Sequence, residues 1–477
     1  MSWLALYATV EWAIRLIMTV VILRRRMMPV LGLAWLVLIF AVPIVGLVVY
    51  LLVGTRHLGK RRARLHEQVV GAARTEPRMA NLRAYAARPV IEPEQRNMIL
   101  QAERISGNPI VAGNEFELVA EADDKVRRLI ADIDAAQDHV HVLYYIFRPD
   151  AVGRQVIEAL KRAARRGVTC RVLLDAAGSR SMFKRRGAAH ELRQAGVQII
   201  PALPVALLRR KLARVDLRNH RKLVVIDGHI AYTGSHNIVV ETYGHKWAGK
   251  WEDLSTRCTG PVVAQIQMVF IEDWYFETDE HLTAPSLFPP LQPTGEIAAQ
   301  AVPTGPSHEA ETFRRVLIAA LNSAQQQIIM TTPYLVPDEP TMLALAMAAD
   351  RGVDVRLVVP ARSDHPLVAA AGRSYFQPLM ESGVSIYRYR TGMLHAKTIT
   401  VDHAFALLGS ANLDIRSFYL NFEINLLLYG AQITNYLRFA QQRYINESEP
   451  VSLAEWRRRP MAKQCVENAA ALLSPLL

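Results

Sequence analysis

Three cysteines in 477 residues are too few and too scattered to shape this chain. Cys170, Cys258 and Cys465 have no metal-ligand spacing and imply no disulfide framework, and so sparse a set points to a reducing compartment. Cys170 sits in an apolar run and reads as a core residue. Acidic residues are in deficit, 44 Asp and Glu against 56 Lys and Arg, which leaves a net charge of +12. That balance disfavours cationic partners and favours anionic ones, either nucleic acid or acidic lipid. Charged residues are also scarce overall at 21%, against 51% hydrophobic and a mean hydropathy of +0.09. Such a composition argues against a wholly soluble enzyme and for a membrane portion.

Residues 3–23 and 29–53 are two apolar stretches of membrane-crossing length. Arg24, Arg25 and Arg26 separate them, and Arg56, Lys60, Arg61, Arg62 and Arg64 follow. The first stretch lacks a basic start and a small-residue cleavage site, which speaks against a signal peptide. Its Glu11 and Arg15 share a helical face, and Trp3, Tyr7 and Trp12 suit an interface, so it either crosses or lies along the surface. Pro43 kinks the second stretch or turns it into a re-entrant hairpin. If both cross, Arg24–Arg26 fall outside, against the positive-inside tendency; the larger cluster after Val53 favours an interior catalytic part. Residues 1–55 are thus read as a membrane region of two hydrophobic helices or a hairpin. Residues 56–117 are read as a polar, basic connector with helical character, with Arg83 and Arg88 near anionic headgroups or simply solvated.

A chain this long exceeds one ordinary core. Its remainder repeats itself. Within 118–285 an amphipathic helix (120–137), a strand (139–147), a break at Arg148-Pro149-Asp150, a helix (153–166) and a buried strand (169–177) follow in order. Within 303–477 the order recurs: helix 313–324, strand 327–332, a break at Pro337-Asp338, helix 340–351 and strand 353–360. Arg166-Gly167-Val168 and Arg351-Gly352-Val353 stand at matching points. Residues 286–302, with Pro289, Pro290, Pro293 and Gly295, form the expected linker. The fold class is α/β: two duplicated α/β sandwich halves related by a pseudo-twofold, plus the N-terminal helical membrane region.

Each half carries the same motif. His220-Arg221-Lys222 enters an apolar strand that ends at Asp227-Gly228 and returns to Gly234-Ser235, with Asn237 beyond. His395-Ala396-Lys397 enters a strand ending at Asp402 and returns to Gly409-Ser410, with Asn412 beyond. One copy would pass for a plain hairpin with a turn aspartate; two copies at matching offsets do not. In a strand, residues two apart share a face, so each His points the same way as its Lys. His220, Lys222, Asp227, His395, Lys397 and Asp402 are the candidate catalytic residues. Two imidazoles suit a phosphodiester: one attacks phosphorus, and the other protonates the leaving oxygen and then deprotonates the incoming hydroxyl. Lys222, Ser235, Asn237, Lys397, Ser410 and Asn412 are candidates to hold the non-bridging oxygens. Side chains supply the positive charge, so no metal or other cofactor is required. The metal reading is the poorer alternative, since neither copy has zinc or di-metal spacing.

The doubled motif resembles the phospholipase D superfamily, and the chain is similar to its bacterial cardiolipin synthase branch over nearly its whole length. The likeness extends to Asp216-Leu217-Arg218-Asn219, Leu394, Asn421-Phe422-Glu423 and the tail Leu472–Leu477. It implies a phosphatidyltransferase that converts two phosphatidylglycerols to cardiolipin and glycerol through a phosphatidyl-histidine. It also implies a bacterial inner-membrane location, an anionic membrane surface as partner, and no nucleic acid. It assigns His220 as nucleophile and His395 as general acid/base, although the duplication alone permits either. It implies an orienting carboxylate downstream of each motif for that motif's own histidine, matched by Glu423 in the second half and in the first by Asp253, with its neighbour Glu252 the alternative. Water in place of a lipid acceptor would make it a phospholipase D, and the residues do not decide between them. A nuclease suits the charge but not the apolar segments. An inactive scaffold is disfavoured because both motifs keep every chemical group. Homo-oligomerisation is left open.

Two further features flank the motifs. Leu207–Arg214 mixes apolar and basic residues and suits a lipid surface or an exposed loop. Tyr375, Phe376, Met380, Tyr387 and Tyr389 line an acyl-chain groove or belong to the core.

Overall fold

The computed structural model describes residues 3–25, 29–54, 81–89, 92–204, 216–306, 308 and 311–474. The chain divides into two units, residues 1–61 with 205–217, and residues 62–204 with 218–477. The basic run after Gly54, the Leu207–Arg214 stretch and the last three residues, each singled out above, lie outside the described residues.

In the first unit, the helix Trp3–Arg24 is long and apolar enough to cross a membrane. Its expected Glu11–Arg15 pair forms at 3.3 Å, and Arg15 Nε also donates to the Phe40 carbonyl. The second apolar stretch is not one span but two helices, Pro29–Ala41 and Pro43–Val53. Pro43 sits in the first turn of the second helix, where its missing N–H costs nothing. The chain folds back there: a Cβ on Gly46 would lie 3.0 Å from the Ile39 backbone, closer than any continuous helix brings residues seven apart. Trp35 and Tyr50 meet edge to face at 5.1 Å across this hairpin, and Met18, Ile22 and Ile39 pack around them.

The second unit is built on one 15-stranded sheet, with four short strands forming two further two-stranded sheets. The first half supplies β1 (Val111–Val119), β2 (His139–Tyr144), β3 (Thr169–Asp175), β4 (Gln198–Ala202), β5 (Lys222–Ile226), β6 (Ile230–Gly234), the two-residue β7 (Trp251–Glu252) and β8 (Ser255–Thr259). The second supplies β9 (Ile297–Thr304), β10 (Gln327–Thr331), β11 (Leu335–Val336), β12 (Asp354–Pro360), β13 (Ser385–Tyr389), β14 (Met393–Leu394), β15 (Thr398–Val401), β16 (Phe405–Gly409), β17 (Leu413–Asp414), β18 (Glu423–Tyr429) and β19 (Ser448–Pro450). The order β13-β12-β10-β15-β16-β18-β9 meets β1-β8-β6-β5-β2-β3-β4, so the duplicated strands occur in mirrored sequence on either side of the antiparallel β9–β1 pair. β19 extends the second-half edge.

The breaks read from the sequence are helix caps. Asp150 accepts from the backbone N–H of Val152 and Gly153 to start helix Ala151–Arg165, and Asp338 accepts from Thr341 N–H to start Glu339–Asp350. Helices Ala122–Ala135 and Ala151–Arg165 cover the first half-sheet, with Leu129, Ile133, Val156 and Leu160 buried against β2 and β5. Helix Val262–Thr278 packs at the seam, in a core shared by Leu223 and Val225 of one half and Ile424, Leu426 and Leu428 of the other.

Two boundaries differ from the sequence reading. The helical character expected over 56–117 appears as helix Pro93–Ser106, but that helix packs Met98, Ile99 and Ala102 into the second half's core rather than connecting, and β1 takes up the end of the stretch. The linker read over 286–302 gives way to β9 at Ile297. Both strands hide from periodicity because Gly113 and Asn114 interrupt β1 at an irregular register, and Ala298, Ala299 and Ala301 make β9 only faintly hydrophobic.

Candidate active site

The two motifs meet at the seam. Before β5, the His220 N–H donates to the Phe422 carbonyl at 2.9 Å, and the Phe422 N–H donates to the Arg218 carbonyl at 3.0 Å. This short pairing seats His220 beside Glu423, the first residue of β18. His220 Nδ1 lies 3.0 Å from both Glu423 carboxylate oxygens. In the other motif, the two-residue strands β7 and β14 pair in parallel, and the His395 N–H donates to the Glu252 carbonyl at 2.7 Å. His395 Nδ1 then meets Asp253 Oδ1 at 2.5 Å. A carboxylate on Nδ1 fixes each imidazole with its proton there and leaves Nε2 free for chemistry.

Each carboxylate therefore serves the histidine of the opposite half. The sequence reading paired each with its own motif, and the structure corrects this. Asp253 and Glu423 lie past the end of their own hairpins, on segments that pair across the seam rather than back onto their own motif strand.

Lys222 and Lys397 are buried beside their histidines, and each ammonium donates to the carbonyl of the histidine two residues before it, at 2.7 and 2.6 Å. Aromatic rings wall the imidazoles: Tyr145 stands edge-on to His220 at 4.8 Å, and Trp251 edge-on to His395 at 4.7 Å. Burial pushes His220 down to about 4 against the pull of Glu423, and pushes His395 down to about 3 against the pull of Asp253. Lys397 also acts on His220 and Lys222 on His395, so the two motifs share one electrostatic environment. Burial likewise lowers Lys222 to about 8 and holds Lys397 well below its ordinary value. Burial works to raise both carboxyls, but the neighbouring imidazoles and lysines outweigh it and keep Asp253 and Glu423 ionised. A phosphodiester entering here would meet neutral imidazoles and costly buried cations; its negative charge would favour charged lysines and a second proton on one imidazole, leaving the other neutral to attack.

Other predicted residues fall elsewhere. Asp227 and Asp402 do not join this cluster. Each ends its strand about 17 Å of extended chain beyond its lysine. Asp227 takes three backbone N–H bonds at 2.8 Å, from Gln137, Asp138 and His139. Asp402 takes three at 2.8–3.0 Å, from Gln325, Gln326 and Gln327, and one from Gln95 Nε2. They pin the helix-to-strand turns entering β2 and β10. The serines are likewise turned from the phosphate role. Ser235 Oγ bonds the Leu254 carbonyl and N–H, and Ser410 Oγ bonds Glu423 and the Ile424 N–H. Gly234 permits this close approach, since a Cβ there would lie 2.5 Å from the Leu254 carbonyl oxygen. These serines hold the segments that carry the orienting carboxylates. Asn237 Nδ2 donates to Tyr243 and Asn412 Nδ2 to Asp414, each with a second amide hydrogen remaining. Of the five second-half residues considered for a groove, Phe376, Met380 and Tyr389 are buried in the core.

The sequence reading missed Lys125 and His236. Lys125 is fully buried in helix Ala122–Ala135, and its ammonium donates to the His236 carbonyl at 3.3 Å. His236 Nδ1 meets Ser255 Oγ at 3.0 Å, and both residues act electrostatically with Asp253. The available signal was a lysine on the apolar stripe of Leu129 and Ile133, at i+4 and i+8. Among the described residues, no three His, Cys, Asp or Glu side chains group as a metal site requires.

Two half-sheets that each bring a His-x-Lys strand to one buried cluster define the class, a phospholipase D-like protein. The family model "Cardiolipin synthase, PLD-like domain" matches residues 129–274 and 317–443, more than half of the chain. Cardiolipin synthase A of Pectobacterium carotovorum subsp. carotovorum (strain PC1) is 38% identical over 484 residues, covering 100% of this chain and 98% of the relative. Cardiolipin synthase A of Klebsiella pneumoniae (strain 342) is 37% identical over 464 residues, covering 96% and 95%. The crystal structure of phosphatidylserine synthase from Haemophilus influenzae Rd KW20 superposes with a TM-score of 0.61 at 15% identity, over 80% of this chain and 100% of that one, and so shares its fold. The chain belongs to the cardiolipin synthase family of phospholipase D-like enzymes.

Proposed function

We propose that the protein is a membrane phosphatidyltransferase that makes cardiolipin and glycerol from two phosphatidylglycerol molecules. The observation that carries this reading is the buried pair of carboxylate-held imidazoles flanked by two lysines, in a chain of this family. His220 Nε2 attacks the phosphorus of the first lipid. The bond from phosphorus to the glycerol head breaks, and His395 gives its Nε2 proton to the departing glycerol oxygen. The terminal hydroxyl of the second lipid then gives its proton to His395 and attacks the same phosphorus, and the bond to His220 breaks. Charge on the non-bridging oxygens is met by Lys222, Lys397 and the spare amide hydrogens of Asn237 and Asn412. The nucleophile role goes to His220 because both Glu423 oxygens hold its ring, a firm setting for an attacking Nε2. The apolar helices of the first unit suit a bacterial inner membrane, and the basic run that follows Gly54 in the sequence favours a cytoplasmic side for the catalytic unit.

Purified full-length protein given phosphatidylglycerol should yield cardiolipin and free glycerol. Phosphatidic acid in place of cardiolipin would make it a hydrolase. Trapping the covalent intermediate should place phosphorus on His220; label on His395 alone would reverse the two roles.

A further inference from the structure

A cavity of about 240 Å³ opens in the second half, between the ends of β12 and β13 and helix Pro366–Ser374. Its wall combines Tyr334, Phe376 and Trp247 with Arg362, Arg373 and Arg388. Arg373 is matched by Glu467 at 2.7 Å. Neither Arg362 nor Arg388 has a carboxylate partner among the described residues. The nearby Asp364 is engaged by the Tyr334 hydroxyl at 2.7 Å and by His365 at 3.3 Å. The cavity thus offers two unspent guanidiniums to an anion and an apolar wall to whatever the anion carries. Trp247 on the rim is 45% exposed, as is the neighbouring Leu367 at 47%, which suits entry of an amphiphile rather than a small hydrated ion.

Its position relates it to the chemistry. Tyr334 also packs in the cluster of Tyr243, Trp251 and Met393, and Trp251 is the ring that stands against His395. Tyr334 and Trp251 thus link the cavity wall to the imidazole that takes the acceptor's proton in the reaction above. The volume admits a glycerophosphate head.

We propose that this cavity seats the phosphoglycerol head of the acceptor lipid, with Arg362 and Arg388 on its phosphate, so that its terminal hydroxyl is offered toward His395. This rests on the transferase reading and adds to it a second anion site, distinct from the one at the lysines. Water competes for the covalent intermediate, so losing the acceptor site shifts the product from cardiolipin to phosphatidic acid.

The test uses the full-length protein in mixed micelles of detergent and phosphatidylglycerol, reading both lipid products over a range of lipid fractions. The double substitution Arg362→Gln with Arg388→Gln should lower the ratio of cardiolipin to phosphatidic acid on the order of tenfold. It should also raise the lipid fraction needed for half-maximal cardiolipin. Arg362→Lys with Arg388→Lys should recover part of the ratio, which a merely structural role would not do. If the double variant does not fold, Arg362→Gln alone, at an exposed position, should move the ratio in the same direction. An unchanged ratio in folded Gln variants overturns the proposal while leaving the transferase reading intact. Inorganic phosphate that lowers the wild-type ratio as far as the substitutions do shows a small-anion site and overturns the lipid assignment. Wild-type protein that makes no cardiolipin overturns both readings.

Discussion

The two halves share strand order, motif spacing and the aspartate pins, yet differ in what lies behind the motifs. Aligning the pinned turns sets Lys125 opposite Phe313, and aligning the Gly-Ser corners sets His236 opposite Ala411. The motifs themselves set Arg221 opposite Ala396. Phe313 and Ala411 belong to an apolar core, whereas Lys125 and His236 stand near Asp253. Arg221 is fully buried, paired with Asp273 at 2.6 Å and bonded to the carbonyls of Glu423 and Thr304. Asp253 therefore works among basic groups, and Glu423 among the hydroxyls of Ser410 and Ser417 and the amide of Asn421. Duplication kept the reacting groups equal and let their supports diverge.

The largest effect should come from removing what the halves share. His220→Ala or His395→Ala should lower turnover about 10⁴-fold or more, since the two act as a unit. Lys222→Met or Lys397→Met should cost about 10²–10³-fold in kcat with the fold retained by circular dichroism. Near-normal turnover in either lysine variant would remove that lysine from the phosphate site.

Next come the supports. Arg221→Ala strands buried Asp273 and should destabilise the catalytic unit by about 3–5 kcal/mol in denaturant unfolding. Lys125→Met should cost about tenfold in activity, as loss of an outer-shell support does. It should also flatten the pH dependence of stability. Burial lowers Lys125 to about 7 from an ordinary 10.5. Between those values the unfolded chain holds a proton that the folded chain lacks, so stability rises with pH; below about 7 both hold it and the slope vanishes. Thermal midpoints from pH 7 to 10 should rise less steeply in the variant, and an unaltered slope would place the amine in contact with solvent. The histidines act at lower pH with the same sign. Folded His220 and His395 titrate at about 4 and 3 against an ordinary 6.5, so stability should fall as pH drops from about 6.5 to 4.

The smallest effect on chemistry should come from the motif aspartates. Asp227→Asn and Asp402→Asn each weaken three backbone bonds and should cost about 1–3 kcal/mol of stability. Turnover per folded molecule should stay within a few-fold of wild type. A drop of 10³ in either would restore a catalytic aspartate.

The duplication, the α/β class and the four His and Lys positions were legible because strand alternation and repeated spacing are local properties. The exchanged carboxylates were not, because pairing of 218–220 with 422–423 is a contact across two hundred residues with no local signature. The aspartates were misread for a related reason: a strand-end carboxylate looks alike whether it faces substrate or three N–H groups. Ser235 and Ser410 erred likewise, since a corner glycine lets the next hydroxyl turn toward the neighbouring strand. Lys125 was visible as a charge on an apolar stripe and was passed over because helix amphipathicity alone gives no address for a buried amine.

The exchange of carboxylates also bears on synthesis. His220 is made long before Glu423, which follows it by about two hundred residues. Until then Glu423 does not hold its ring, so under the reaction proposed above a growing chain carries an incomplete site.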